Sequence, residues 1–398
     1  MRLIDTARHA LWLLAPLVGA SAGVAFAAPY RPASDDTLLE TLSTRATDPR
    51  AREMRELRTS LSRNPTDAEL AVRLARRYYE EVAAEGDPRY IGYAQAALAP
   101  WWKEPAPPPA VRVMRAVLRQ FNHDFDGALA DLSAAAAQDP TLAEAWGWQA
   151  AIHLVRADYP AARTACERVA ALVTPLIGVA CKASVDSVSG HADAAARALQ
   201  EALAAHPAAP ADEQLWVLTR LAETEERRGR YAEAEAAYRR GLALGLTDGY
   251  LLAAYADFLL DRQRPTEVLT LLDGKGRSDL LLLRLVLAAK VLNHPSRKAW
   301  QGDLAARFDA ARLRGDATHE KEESRFVLAV LGDAKRALEL ARRNYTVQRE
   351  PADARALLEA AIAAREPAAA EPVLQWMAHS HVESTALQSL ATRLKDMR

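Results

Sequence analysis

The sequence predicts an all-α protein, a solenoid of antiparallel helix pairs, on three observations. The first is a stripe in GRYAEAEAAYRRGLALG, residues 229–245, where Tyr231, Ala234, Tyr238 and Gly241 fall at i, i+3, i+7 and i+10. That spacing is one face of a helix, and its alternation of bulky and small residues suits close approach to another backbone. The second is recurrence. A small or β-branched residue stands at Ala128, Ala162, Ala195, Ala234 and Val268, at steps of 34, 33, 39 and 34 residues. A period near 34 marks stacked helical hairpins. The third is composition: alanine is abundant, and the β-branched alternating runs that announce strands are missing.

Taken in chain order, residues 1–27 read as a cleaved export signal. Arg2 and Arg8 precede the apolar core LWLLAPLVGASAGVAF, and Ala25-Phe26-Ala27 is an A-x-A cleavage sequence. The core is interrupted by Pro16 and falls short of the roughly 20 strongly apolar residues of a membrane span. The expected destination is the bacterial periplasm, with no membrane insertion after cleavage. Residues 28–50 are polar and read as a flexible segment. Residues 51–273 carry the repeat array. Within it PWWKEPAPPP, residues 100–109, reads as an extended polyproline-like connection, with Trp101 and Trp102 tucked against a helix. Residues 274–398 read as divergent helical repeats, with a last helix near 383–396 capping the stack. The dense charges of 313–326 and 344–361 read there as solvated faces and helix caps. The formal net charge is −1, and about −2 without the leader, so electrostatics gives no case for nucleic acid or anionic membranes.

The residues of AWGWQAAIHLVRADYPAARTACERVAAL (145–172) and VLTRLAETEERRGRYAEAEAAYRRGLAL (217–244) resemble the tetratricopeptide repeat. Trp146, Ala150, Tyr159 and Ala162 match its pattern in the first stretch. Leu221, Ala222, Tyr231, Ala234 and Tyr238 match in the second. The resemblance covers 110–273 well and weakens beyond. It implies a right-handed superhelix with Ala150 against Ala162, and Ala222 against Ala234, where paired helices come closest. It also implies a concave face that binds a protein or peptide. On that face the family's positions fall on Glu144, Ser184, Trp216, Thr219, Glu223, Glu226, Tyr250 and Asp257. Lysines and asparagines of the family's carboxylate clamp are missing there. The mixture of small, apolar and acidic groups, with Trp216 and Tyr250 as anchors, suits a peptide of apolar and basic character. The C-terminal stretches are similar to those of exported bacterial repeat proteins.

Cys166 and Cys181 are the two cysteines. They lie equidistant from the turn at Val173-Thr174-Pro175, so they are level across an antiparallel hairpin. A disulfide and two buried free thiols both fit. No catalytic, cofactor or metal set emerges. His319-Glu320-Lys321-Glu322-Glu323 reads H-E-x-x-E and lacks the second histidine of a zinc peptidase helix. His379 and His381 would point to different helix faces, and Asp273–Ser278 lacks phosphate-loop spacing. The expected function is an exported scaffold for a cell-envelope complex. The alternatives are an enzyme or metal-handling protein centred on 313–350, and a self-associating structural adaptor.

Overall fold

A computed structural model describes Ser34 and residues 48–87, 89–315 and 319–397. The expected leader, and nearly all of the flexible segment, lie outside the described residues. The chain divides into two compact units, 1–52 and 53–398, and every contact discussed below lies within the second.

The described residues are helical, with no strand among them. Three helices come first: α1 (Pro49–Arg63), α2 (Ala68–Glu85) and α3 (Arg89–Ala97). Five hairpins follow: α4 (Pro109–Phe121) with α5 (Phe125–Gln138), α6 (Ala143–Val155) with α7 (Tyr159–Ala170), and α8 (Pro175–Asp186) with α9 (Ala192–Ala205). Then come α10 (Ala211–Arg227) with α11 (Tyr231–Ala243), and α12 (Gly249–Asp261) with α13 (Pro265–Leu271). The ladder of small residues falls on the second helix of each hairpin. Ala128, Ala162, Ala195, Ala234 and Val268 are all 2% exposed or less. The sequence stripe is explained in the same way. Tyr238 is buried with its ring 5.3 Å from Tyr255 and 5.7 Å from Phe258 on the next hairpin.

The turns inside these hairpins share one construction. His123, Ala157, Gly190, Gly229 and Gln263 all have positive φ, between 58° and 79°. The next residue's N–H closes a bond to the carbonyl five residues back in each: Asp124 to Arg119, Asp158 to His153, His191 to Asp186, Arg230 to Glu225 and Arg264 to Leu259, at 2.8–3.1 Å. This is a Schellman termination, which satisfies the carbonyls left open at a helix end. The second helix then starts immediately, at Phe125, Tyr159, Ala192, Tyr231 and Pro265.

The same punctuation continues past residue 274, where the sequence period fades. The elements are α14 (Asp279–Leu292), α15 (Arg297–Leu313), α16 (Glu320–Phe326), α17 (Ala334–Val347), α18 (Pro351–Ala364), α19 (Glu371–His379) and α20 (Thr385–Lys395). Asn293, Arg365 and His381 have positive φ, each followed by the same five-back bond. A π-helical turn, Val327–Leu331, extends α16 to Gly332. One apolar core runs from Leu176 to Ala288 and so crosses the change in sequence regularity.

One expectation needs correction here. The 100–109 connection is not simply extended: Ala99–Trp101 is a turn of 3-10 helix with Trp101 buried. The cause is Arg115, buried on α4, whose Nη1 donates to the carbonyls of Trp101, Trp102 and Glu104 at 2.8–3.0 Å. Its Nε and Nη2 donate to Asp131 at 2.7 and 2.6 Å. Helix α20 packs on α18, with Leu387, Leu390 and Leu394 in one apolar core with Leu357 and Leu358. The segment before it reaches the hairpin turns of the array: Glu383 Oε2 accepts from the Ala192 N–H at 2.6 Å.

Candidate functional site

The C-terminal helices lie along the turn edge of the array. The Arg349 N–H donates to the Val155 carbonyl at 2.8 Å, and the Trp376 indole N–H donates to Tyr159 Oη at 2.9 Å. The loop before α20 sits directly on two glycines. A Cβ added at Gly190 would lie 3.0 Å from His381 Cβ, and one at Gly229 would lie 3.2 Å from Thr385 Cγ2. Glycine therefore serves twice at these turns, admitting positive φ and admitting the returning chain.

Between the array and the returning helices is a cavity of about 270 Å³. Charged side chains meet across its wall. Asp257 on α12 receives Arg284 of α14 at 2.5 Å and Arg325 of α16 at 2.8 Å. Burial alone would raise the Asp257 carboxyl, but the two guanidinium groups hold it well below the ordinary carboxylate range. One turn on, Asp261 receives Arg355 of α18 at 2.5 and 2.8 Å. Lys321 lies between Glu322 at 3.8 Å and the fully buried Asp353 at 3.4 Å. Burial pushes the Lys321 ammonium down, and the carboxylates of Asp353 and Glu322 more than reverse that.

Part of the charged 313–361 region is interior to the fold, with Glu322, Glu323 and Asp353 buried, which corrects the reading as solvated faces there, while Arg314, Arg342, Arg343 and Arg349 are exposed. Its H-E-x-x-E glutamates each meet a cation: Glu320 meets Arg343 at 2.6 Å, Glu322 meets Lys321, and Glu323 meets Arg336 at 2.5 Å. Asp353 does act as a cap, in a reciprocal capping box with Glu350 at the start of α18.

The eight expected groove residues separate into two groups. Glu223, Glu226, Tyr250, Asp257 and Ser184 line the cavity. Ser184 is nevertheless buried, with its hydroxyl donating to the Ala180 carbonyl at 2.8 Å. Thr219 is buried with its hydroxyl on the Leu215 carbonyl. Glu144 is tied to Arg76 of α2 by two bonds of 2.8 Å. Trp216 packs between two apolar cores. Burial raises Glu226 to about 7, helped by its acidic neighbours Asp261, Glu223 and Asp257, while the hydrogen bond from Tyr238 opposes the rise. Tyr250 stands on the rim, 48% exposed, with its hydroxyl donating to Glu223 at 2.5 Å. The Arg220 guanidinium lies 4.7 Å from its ring centre.

Sequence reasoning missed the cations, Arg220, Arg227, Arg284, Lys321, Arg325 and Arg355. One signal was available. Asp257 and Arg284 each stand between apolar residues in the middle of the runs GYLLAAYADFLLD and DLLLLRLVLAAKVL. A single charge in such a run needs a partner from elsewhere in the fold. Cys166 of α7 and Cys181 of α8 are joined in a disulfide, with Cα atoms 5.5 Å apart. This links two successive hairpins. Among the described residues no cluster of potential ligands could hold a metal ion, and no helix is long and apolar enough to cross a membrane.

No family model matches the chain, and no curated protein matches it. Solved structures do. One is a tetratricopeptide repeat protein from Parabacteroides merdae ATCC 43184, at 13% identity and TM-score 0.43, covering 58% of this chain and 84% of that one. Another is the P58(IPK) TPR domain, at 12% identity and TM-score 0.23, covering 87% of this chain and 93% of that one. The TPR-like architecture of the chain stands on its own period and its own helix pairs.

Proposed function

We propose that the chain is an exported scaffold that binds another protein, serving as an adaptor or assembly factor for a cell-envelope complex in the bacterial periplasm. Stacked helical repeats present extended surfaces for such partners. The observation that carries the reading is Tyr250. Its ring is half exposed yet fixed from two sides, by Glu223 and by Arg220. An aromatic group already immobilised loses little freedom on binding, and such groups dominate interface energetics. Export is supported by the leader sequence, and an oxidising compartment by the Cys166–Cys181 disulfide.

The test is crosslinking in intact cells, followed by affinity capture and mass spectrometry. A specific envelope protein is expected, with affinity in a purified pair falling about tenfold or more in Tyr250→Ala. Trp216→Ala is a poorer probe, because that ring packs between cores. Capture of the chain alone would favour the self-associating adaptor. A leader that remains uncleaved in the cytoplasm would sink the localisation.

A further inference from the structure

Most cations on the cavity wall already face a carboxylate, and Arg227 does not. Its Nη2 donates to Ser187 Oγ at 2.8 Å and to Thr224 Oγ1 at 3.4 Å, both neutral. Its Nε is buried with no acceptor, and among the described residues Nη1 makes no hydrogen bond. Arg220 lies two helical turns earlier on the same face of α10, and its Nε is likewise buried without an acceptor. Buried charged donors are ordinarily satisfied, and leaving one unmade is costly.

The surroundings of Arg227 favour negative charge. The first turn of α20, Ser384 to Leu387, lines the same cavity. Ser384 Oγ accepts from the Leu387 N–H, which leaves the N–H groups of Thr385 and Ala386 without an intrahelical acceptor. Those groups carry the positive end of the helix dipole. Arg262 and Arg349, also on the wall, have no carboxylate partner among the described residues. Two wall carboxylates add less negative charge than their number implies, because burial raises both Glu226 and Glu350. The cavity leaves room for a small metabolite.

We propose that this cavity is a binding site for a small organic oxyanion, a carboxylate or a phosphate, with the Arg227 guanidinium as its anchor and the first turn of α20 as its second contact. The Arg227 Nη1, which bonds nothing among the described residues, is a charged donor left for an oxyanion, and charge-assisted hydrogen bonds of that kind are the strong ones. Tyr250, the anchor proposed for a protein partner, stands on the rim of the same cavity, but this inference does not depend on that reading.

Calorimetric titration of the purified full chain with succinate, and separately with inorganic phosphate, tests this, with sodium chloride at matched ionic strength as the control. Binding of at least one oxyanion with Kd under about 1 mM is expected, and no response to chloride. Binding of succinate alone assigns a carboxylate ligand, and binding of phosphate alone a phosphate ligand. Arg227→Gln should weaken binding about tenfold or more, and Arg240→Gln, on the exposed side of α11, should leave it unchanged. Should Arg227→Gln fold poorly, Thr385→Pro serves instead. It deletes one donor at a helix position that proline suits, and should weaken binding several-fold. Absence of binding by both oxyanions up to about 10 mM overturns the proposal. So does equal binding by wild type and the folded variants, or an equal response to chloride.

Discussion

The central array and the C-terminal third are built from the same hairpin and held by different forces. From α4 to α13, neighbouring helices meet through buried alanines and aromatic rings, and the partners of a residue lie within about one repeat of it. From α14 to α20 the hairpins also have internal apolar cores. Helix α14 continues the apolar core of the array, whereas α16 to α20 reach back to it also through charge and hydrogen bonds: Asp257 with Arg325, Asp261 with Arg355, and Tyr159 with Trp376. The difference teaches that a repeat period records how a hairpin packs on its neighbour. It carries no record of where the chain comes back.

Breaking the charged attachment should have the largest effect. Asp257→Ala leaves Arg284 and Arg325 facing each other without their carboxylate. The loss of stability should be about 3–5 kcal/mol, the cost typical of stranding a buried charge. Hydrogen exchange should show α16 to α20 loosening first while the array stays protected. Uniform loss of protection along the chain would erase the distinction between the two regions.

Ala234→Leu probes the other side of the comparison. It overfills the contact between α10 and α11 and should cost about 1–3 kcal/mol in urea unfolding. A folded variant as stable as wild type would contradict the close helix approach at that site.

The junction between the regions offers the finest test. Gly190→Ala and Gly274→Ala both place alanine at positive φ, 79° and 70°, but only the first meets the returning chain. Backbone strain of about 1 kcal/mol should be common to both. The excess at Gly190 reports the docking of the loop before α20. Equal losses would mean that this loop is held elsewhere.

The array was legible because its signals are periodic and local. Ala128 to Val268 could be counted in the sequence, and each proved to be a buried contact on the second helix of a pair. The hairpin turns were only half legible. Gly190 and Gly229 announce left-handed backbone, whereas His123, Ala157 and Gln263 adopt it with side chains that carry weak or no signal for it. The cavity was barely legible. Glu223, Glu226, Tyr250 and Asp257 came from repeat register, but Arg325 and Arg355 sit in stretches whose charge density is that of an ordinary wet helix. Nothing local distinguishes an arginine facing solvent from one facing an aspartate 68 residues away.

That separation sets an order of assembly. The Cys166–Cys181 bond spans 15 residues, whereas Trp376 reaches Tyr159 across 217. Contacts close in sequence form early, and those that must first gather a long stretch of chain form late. The hairpins therefore come before the chamber, and the chamber closes only when residues 349–387 arrive. Anything bound inside it stabilises the last step of folding, so occupancy of the cavity and completion of the fold are read out together.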